Sequence, residues 1–168
     1  MAQPKRTSGT PAIVAAERAG IAFRVLEYTH DPGAESYALE AAAALGVAPE
    51  AVFKTLIAAL DGNGGTKLAV AIIPANTRLN PKQLAAAAGG KRADLANPAD
   101  AERATGYVLG GISPLGQRRR LPTVLDQRAL AHPTVYVSAG RRGLELALAP
   151  ADLARLTGAI IATITGCR

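Results

Sequence analysis

The chain has 168 residues, enough for one domain with a sizeable core, and 49% of them are hydrophobic, weighted towards alanine with no Trp and only two Phe. Nineteen Lys and Arg against 13 Asp and Glu give a formal charge of +6, which favours a polyanionic partner. The lone Cys167 excludes a disulfide framework and a thiolate metal cluster, and no apolar run is long enough to span a membrane, so the expectation is a soluble cytoplasmic protein.

Residues 1–9 read as a disordered tail, without the apolar run after Lys5 and Arg6 that a signal peptide requires. Thr10-Pro11 then sets a capping side chain before a proline at the first helical position, and Gly20 supplies the stop. The same punctuation recurs at Asn80-Pro81 with Gly89 and at Asn97-Pro98 with Gly106. Further helices are predicted from Ser36 to Gly46 and from Pro150 to Thr157, the latter ending at Gly158. Strands are predicted over Phe23–Tyr28, Val52–Leu60, Thr66–Ile73, Leu121–Leu125, Thr134–Ser138, Leu144–Leu148 and Ala159–Ile164. The second and third are joined by a longer hairpin loop over Asp61–Gly65. Several runs are apolar on both faces, as in strands covered on both sides. Helices and hairpins alternate irregularly, so the expected fold is a single α/β domain: a mixed, partly closed, barrel-like sheet with flanking helices. No Gly-x-Gly-x-x-Gly and no Walker loop is present, which argues against dinucleotide and nucleoside triphosphate sites.

Three features carry chemistry. Lys54 interrupts the apolar run Ala51–Leu60, with Val52 and Leu56 as its period-two neighbours; an ammonium on an interior face needs a compensating partner or substrate oxygen, whereas one at a strand start snorkels to water. The stretch from Thr105 to Thr123 holds four glycines, two prolines and three consecutive arginines, suited to aiming backbone N–H groups at an oxygen. Basic residues gather at Lys91-Arg92, Arg118-Arg119-Arg120 and Arg141-Arg142, readable as solvated charge or as a phosphate track. Neither His30 nor His132 stands where a general base is expected, Ser113 lacks a nucleophile elbow, and the carboxylates show no metal-ligand spacing.

Phe53-Lys54-Thr55-Leu56, the run from Thr105-Gly106-Tyr107 to Leu121-Pro122-Thr123, and Val137 to Leu144 closely resemble the YbaK-type Cys-tRNA(Pro) deacylases, free-standing prolyl-tRNA editing domains. The similarity runs in order from about Ile13 to Ala162. It implies an editing domain over residues 10–168 that removes cysteine from mischarged tRNA(Pro) without a cofactor or metal. It also implies Lys54 as the essential lysine and the Gly110–Pro114 loop facing the substrate carbonyl, with Gly110 and Gly111 catalytic and Ile112, Ser113 and Pro114 binding substrate. Tyr28, Thr55 and Ser138 complete the pocket, and Arg118, Arg119, Arg120, Arg141 and Arg142 are expected to hold tRNA. Prolyl-tRNA synthetase is the implied third member of a ternary complex. The family mechanism is attack of the substrate's own thiol on its ester. Glu145 departs from the pattern, standing where the family carries Asp. Two alternatives stay open: an editor of Ala-tRNA(Pro) or another small aminoacyl ester, and a non-catalytic module that binds tRNA or synthetase.

Overall fold

The structure, a computed structural model, describes residues 9–34 and 36–166. Residues 1–8, most of the expected disordered tail, and Cys167 lie outside these. The five predicted helices all form: α1 (Pro11–Ala19), α2 (Tyr37–Leu45), α3 (Pro81–Ala88), α4 (Pro98–Thr105) and α5 (Pro150–Thr157). Thr10 Oγ1 accepts from Ile13 N at 3.2 Å, Ser36 Oγ from Leu39 N at 3.3 Å, Asn80 Oδ1 from Gln83 N at 3.1 Å and Asn97 Oδ1 from Ala99 N at 2.8 Å. Each cap satisfies one of the N–H groups that the first helical turn leaves unpaired. None of these helices is long and apolar enough to cross a membrane.

The strands are β1 (Phe23–Glu27), β2 (Phe53–Gly62), β3 (Gly65–Pro74), β4 (Arg92–Leu95), β5 (Thr123–Asp126), β6 (Val135–Arg141), β7 (Leu144–Leu148) and β8 (Ile160–Ala162). They form a three-stranded antiparallel sheet, β1-β7-β6, and a five-stranded mixed sheet, β4-β2-β3-β5-β8, in which β5 runs parallel to both β3 and β8. The mixed α/β domain is as expected, but the sheet does not close into a barrel. Among the described residues, one bridge, between Val52 and Tyr136, joins the two sheets. A bulge between Ser138 and Arg141 shifts the β6 register against β7, which pairs again at Arg141–Leu144.

Two local expectations also change. The β2–β3 ladder runs out to the pair Gly62–Gly65, leaving only Asn63-Gly64 as the turn. Strand β4 was not expected; it pairs with Ala58–Asp61 of β2 at the sheet edge, and only its Ala93 is buried. A charged edge strand has no apolar alternation to betray it, and such charge discourages pairing with other chains.

Alternation along β3 divides the interior. Val70 and Ile72 face the large core between the sheets, with Phe53, Ile57, Leu125, Val137, Leu144 and Leu146. Ala69, Ala71 and Ile73 face a second cluster beneath α3, with Leu84 and Ile164. At the end of β5, Asp126 is fully buried and accepts from Arg128 N at 2.9 Å, Ile164 N at 3.0 Å and Thr165 Oγ1 at 3.0 Å. This carboxylate pins the segment after β8 to the sheet. Asp126→Ala would strand those donors, two of them buried, and should cost about 2–4 kcal/mol in urea denaturation. An unchanged midpoint would show that the pin carries no stability.

Candidate active site

A cleft of about 320 Å³ opens where the two sheets diverge beside the Val52–Tyr136 bridge. Strand β2 supplies Lys54 and Thr55, β6 supplies Ser138, β7 supplies Glu145, and Tyr28 follows β1. Gly110 and Ile112 come from the glycine loop, and Ser36 and Tyr37 from the start of α2. Four segments far apart in sequence, each carrying predicted site residues, thus meet in one cavity.

The loop is held there by backbone contact. A Cβ on Gly111 would fall 2.6 Å from Arg141 Cα, and one on Gly110, where φ is 91°, would fall 2.9 Å from both Arg142 Cδ and the Tyr37 ring. Only glycine permits this approach. Tyr107 Oη donates to the Leu115 carbonyl at 2.6 Å and closes the loop on itself, while burial pushes its phenol up to about 12. Leu109 N donates to Glu102 of α4 at 2.9 Å, and Arg118 N to the Thr105 carbonyl at 2.9 Å.

Within the loop the predicted residues separate. Gly110 and Ile112 line the cleft, but Gly111 N–H donates to the Val108 carbonyl at 2.9 Å, so that N–H is engaged in the loop's own turn. Ser113 is fully buried, its hydroxyl accepting from Leu115 N at 3.2 Å and its carbonyl from Gln117 Nε2 at 3.0 Å. Pro114 borders a different cavity with Leu115, Arg119 and Arg120. These three residues shape the loop and do not line the cleft.

Lys54 is half-buried, and its ammonium is destabilised first by desolvation and then by the charge of Arg78, so its pKa lies below the usual lysine value. Glu145 is buried, and desolvation alone raises its carboxyl to about 8. Its Oε1 has no hydrogen-bond partner, and neither does the buried Oγ1 of Thr55. The Tyr28 phenol is raised by burial and then by Glu145. Lys54 and Glu145 line the same cleft, and no ion pair joins them.

The basic clusters part company. Arg142 stacks over the Tyr37 ring at 4.1 Å and donates to the Asp31 carbonyl at 3.3 Å, making it part of the cleft rim. Arg141 meets Glu27 at 3.4 Å. Arg118, Arg119 and Arg120 are exposed, the last two beside the separate cavity near α5. A larger groove of about 740 Å³, lined by Arg78, Lys82, Lys91 and Arg92, lies away from the predicted residues but shares Arg78, the cation that perturbs Lys54. His132 sits edge-on to Phe53, and neither histidine lines the cleft. The roles of Tyr37, Arg78 and Glu145 had not been assigned from sequence, although Glu145 interrupts Leu144–Leu148 as Lys54 interrupts its own run.

The chain matches the family described as the aminoacyl-tRNA editing domain over residues 31–156. The chain belongs to this family. Among relatives of the editing domain, EbsC of Enterococcus faecalis, named for Cys-tRNA(Pro)/Cys-tRNA(Cys) deacylation, is 34% identical over 98% of both chains. The multifunctional Ser/Thr-tRNA deacylase ProXp-y of Escherichia coli is 38% identical over 44% of each chain. A crystal structure described as a trans-editing enzyme for prolyl-tRNA synthetase superposes with a TM-score of 0.78 at 27% identity, covering 99% of each chain.

The raised carboxyl gives this editing domain a pH signature. Glu145 holds its proton in the folded state up to about 8 but loses it near 4.5 when unfolded, so between those values the folded state binds more protons and stability falls as pH rises. Glu145→Gln removes that dependence. Its denaturation midpoint relative to wild type should be similar at pH 4 and clearly higher at pH 9. A difference independent of pH would show that the carboxyl is not buried in its neutral form.

Proposed function

We propose that this chain is an aminoacyl-tRNA deacylase that clears cysteine from mischarged tRNA(Pro) in trans, in the cytoplasm where tRNA is charged. The observation that carries the reading is the half-buried Lys54 ammonium on a cleft wall beside the glycine loop, in a cavity lined, among the described residues, by neither histidine nor cysteine. The match to EbsC over nearly both whole chains supports cysteine as the amino acid.

In this scheme the thiol of the cysteinyl group attacks its own ester carbonyl. The S–C bond forms, the C–O bond to the ribose breaks, and the thiol proton ends on the departing ribose hydroxyl. The cyclic thiolactone is then hydrolysed to cysteine. An intramolecular attack held in register can lower the barrier by roughly 7–11 kcal/mol without a protein nucleophile. Lys54 and the N–H groups of Gly110 and Ile112 stabilise the negative charge that develops on the ester oxygens. Tyr28, Thr55 and Ser138 position the aminoacyl group, while Gly111, Ser113 and Pro114 act by setting the loop.

Lys54→Ala should retain its fold by circular dichroism and lose at least about a hundredfold in deacylation, the scale of removing one transition-state donor. Near-wild-type turnover would remove Lys54 from the mechanism. Across cysteinyl-, seryl- and alanyl-tRNA(Pro), the cysteinyl ester should be cleared much faster, with a thiolactone preceding free cysteine. The likeness to ProXp-y favours one other reading; seryl-tRNA cleared as fast as cysteinyl-tRNA would establish it and exclude thiol attack.

The acceptor-stem phosphates of tRNA follow the groove of Arg78, Lys82, Lys91 and Arg92, because Arg78 connects it electrostatically to Lys54. Replacing Lys82, Lys91 and Arg92 with Gln should weaken tRNA binding and reduce its salt slope by about one for each lost phosphate contact. Turnover of a minimal cysteinyl-adenosine ester should be unchanged. If replacement of Arg118, Arg119 and Arg120 instead has this effect, the RNA lies on the α5 side. Prolyl-tRNA synthetase in a ternary complex supplies tRNA selection in this reading, supported by the likeness to the structure described as a trans-editing enzyme for that synthetase.

A further inference from the structure

Glu145 lies in the central strand of the three-stranded sheet, paired in register with Leu26 on one side and Ser138 on the other. It is the only carboxylate among the described residues lining the cleft, and its Oε1 is buried without a partner. Elsewhere the fold treats a buried carboxylate differently, surrounding Asp126 with three donors. An unpartnered carboxyl in such a place is costly, and no cation among the described residues forms an ion pair with it. Arg142 stacks on the Tyr37 face and donates to the Asp31 carbonyl, with its buried Nε left unpartnered, Arg141 pairs with Glu27, and Lys54 makes no ion pair with Glu145. A cation delivered by the ligand would complete the site.

An aminoacyl ester carries one cation, the α-ammonium, on the carbon next to the reacting carbonyl. With the ester oxygens at Lys54 and the Gly110–Ile112 backbone, as proposed above, the ammonium is placed within the same cavity as the β7 carboxyl. We infer that Glu145 is a specificity-determining residue that binds the substrate's α-ammonium, so that the cleft selects esters of free amino acids over acyl esters lacking the amine. This rests on the deacylase reading. In the empty cleft the carboxyl holds its proton; entry of the ammonium favours the carboxylate, the proton passes to solvent, and the pair formed is a charge-assisted hydrogen bond in a water-poor site.

The test uses the full chain and tRNA(Pro) acylated either with cysteine or with β-mercaptopropionic acid, which keeps the thiol and the ester and lacks the amine. Wild-type protein should turn over the cysteinyl ester with kcat/KM roughly 10- to 100-fold above the desamino ester. Glu145→Gln should lower kcat/KM for the cysteinyl ester by a similar factor and leave the desamino ester unchanged, bringing the ratio close to one. Glu145→Asp, which keeps the charge, should preserve the discrimination and serves as the readout if the Gln variant does not fold. Equal losses on both esters, or an unchanged ratio in Glu145→Gln, would overturn the inference while leaving the deacylase reading intact. Wild-type protein inactive on both esters would overturn the deacylase reading and this inference together.

Discussion

The contact between Gly111 and the Arg141 backbone is the constraint on which the site depends. It brings the glycine loop, which follows α4, onto the turn joining β6 and β7, so that Gly110 and Ile112 line one cavity with Ser138 and Glu145. Any side chain at residue 111 would meet main-chain atoms that cannot give way by rotation. Tyr107, Ser113 and Gln117 then fix the loop's shape from within, so the segment is more rigid than its glycine content suggests. Preorganised backbone donors cost no reorganisation when charge develops on a substrate, and a loop braced in this way is suited to that work.

Charge is distributed with similar economy. Asp126 is a buried carboxylate with its donors around it and acts as structure. Glu145 is a buried carboxyl with none at Oε1, and Lys54 is a half-buried ammonium whose nearest perturbing charge is another cation. Both cleft groups are thus held in environments that disfavour their charged forms, which is the usual condition of groups kept for a ligand and not for the fold.

Much of this was legible in the chain. Proline after a capping residue and glycine after the last turn located α1, α3 and α4, because those residues act through local backbone geometry alone. Lys54 declared itself by interrupting an apolar run. Strand β4 did not, since Arg92, Asp94 and Leu95 are exposed at a sheet edge and leave only Ala93 to mark it. The open arrangement of the two sheets was also hidden, because among the described residues they meet at one bridge between segments 84 positions apart (Val52 and Tyr136). The division of the loop into Gly110 and Ile112 on the cleft and Ser113 and Pro114 behind it depends on the Arg141–Arg142 turn, which local pattern cannot locate.

The pairing of β1 with β7 has a consequence for how the molecule comes into being on the ribosome. Phe23 at the start of the chain finds its partner at Leu148, and the pin at Asp126 is closed by Ile164 and Thr165. During synthesis the β2–β3 hairpin can assemble early from neighbouring residues, while β1 waits with unpaired edges until most of the chain has emerged. Lys54 is therefore translated long before the wall that faces it exists. A product that stops short of β7 has the lysine but lacks Glu145 from the cavity wall, so competence arrives only after β7 has been made.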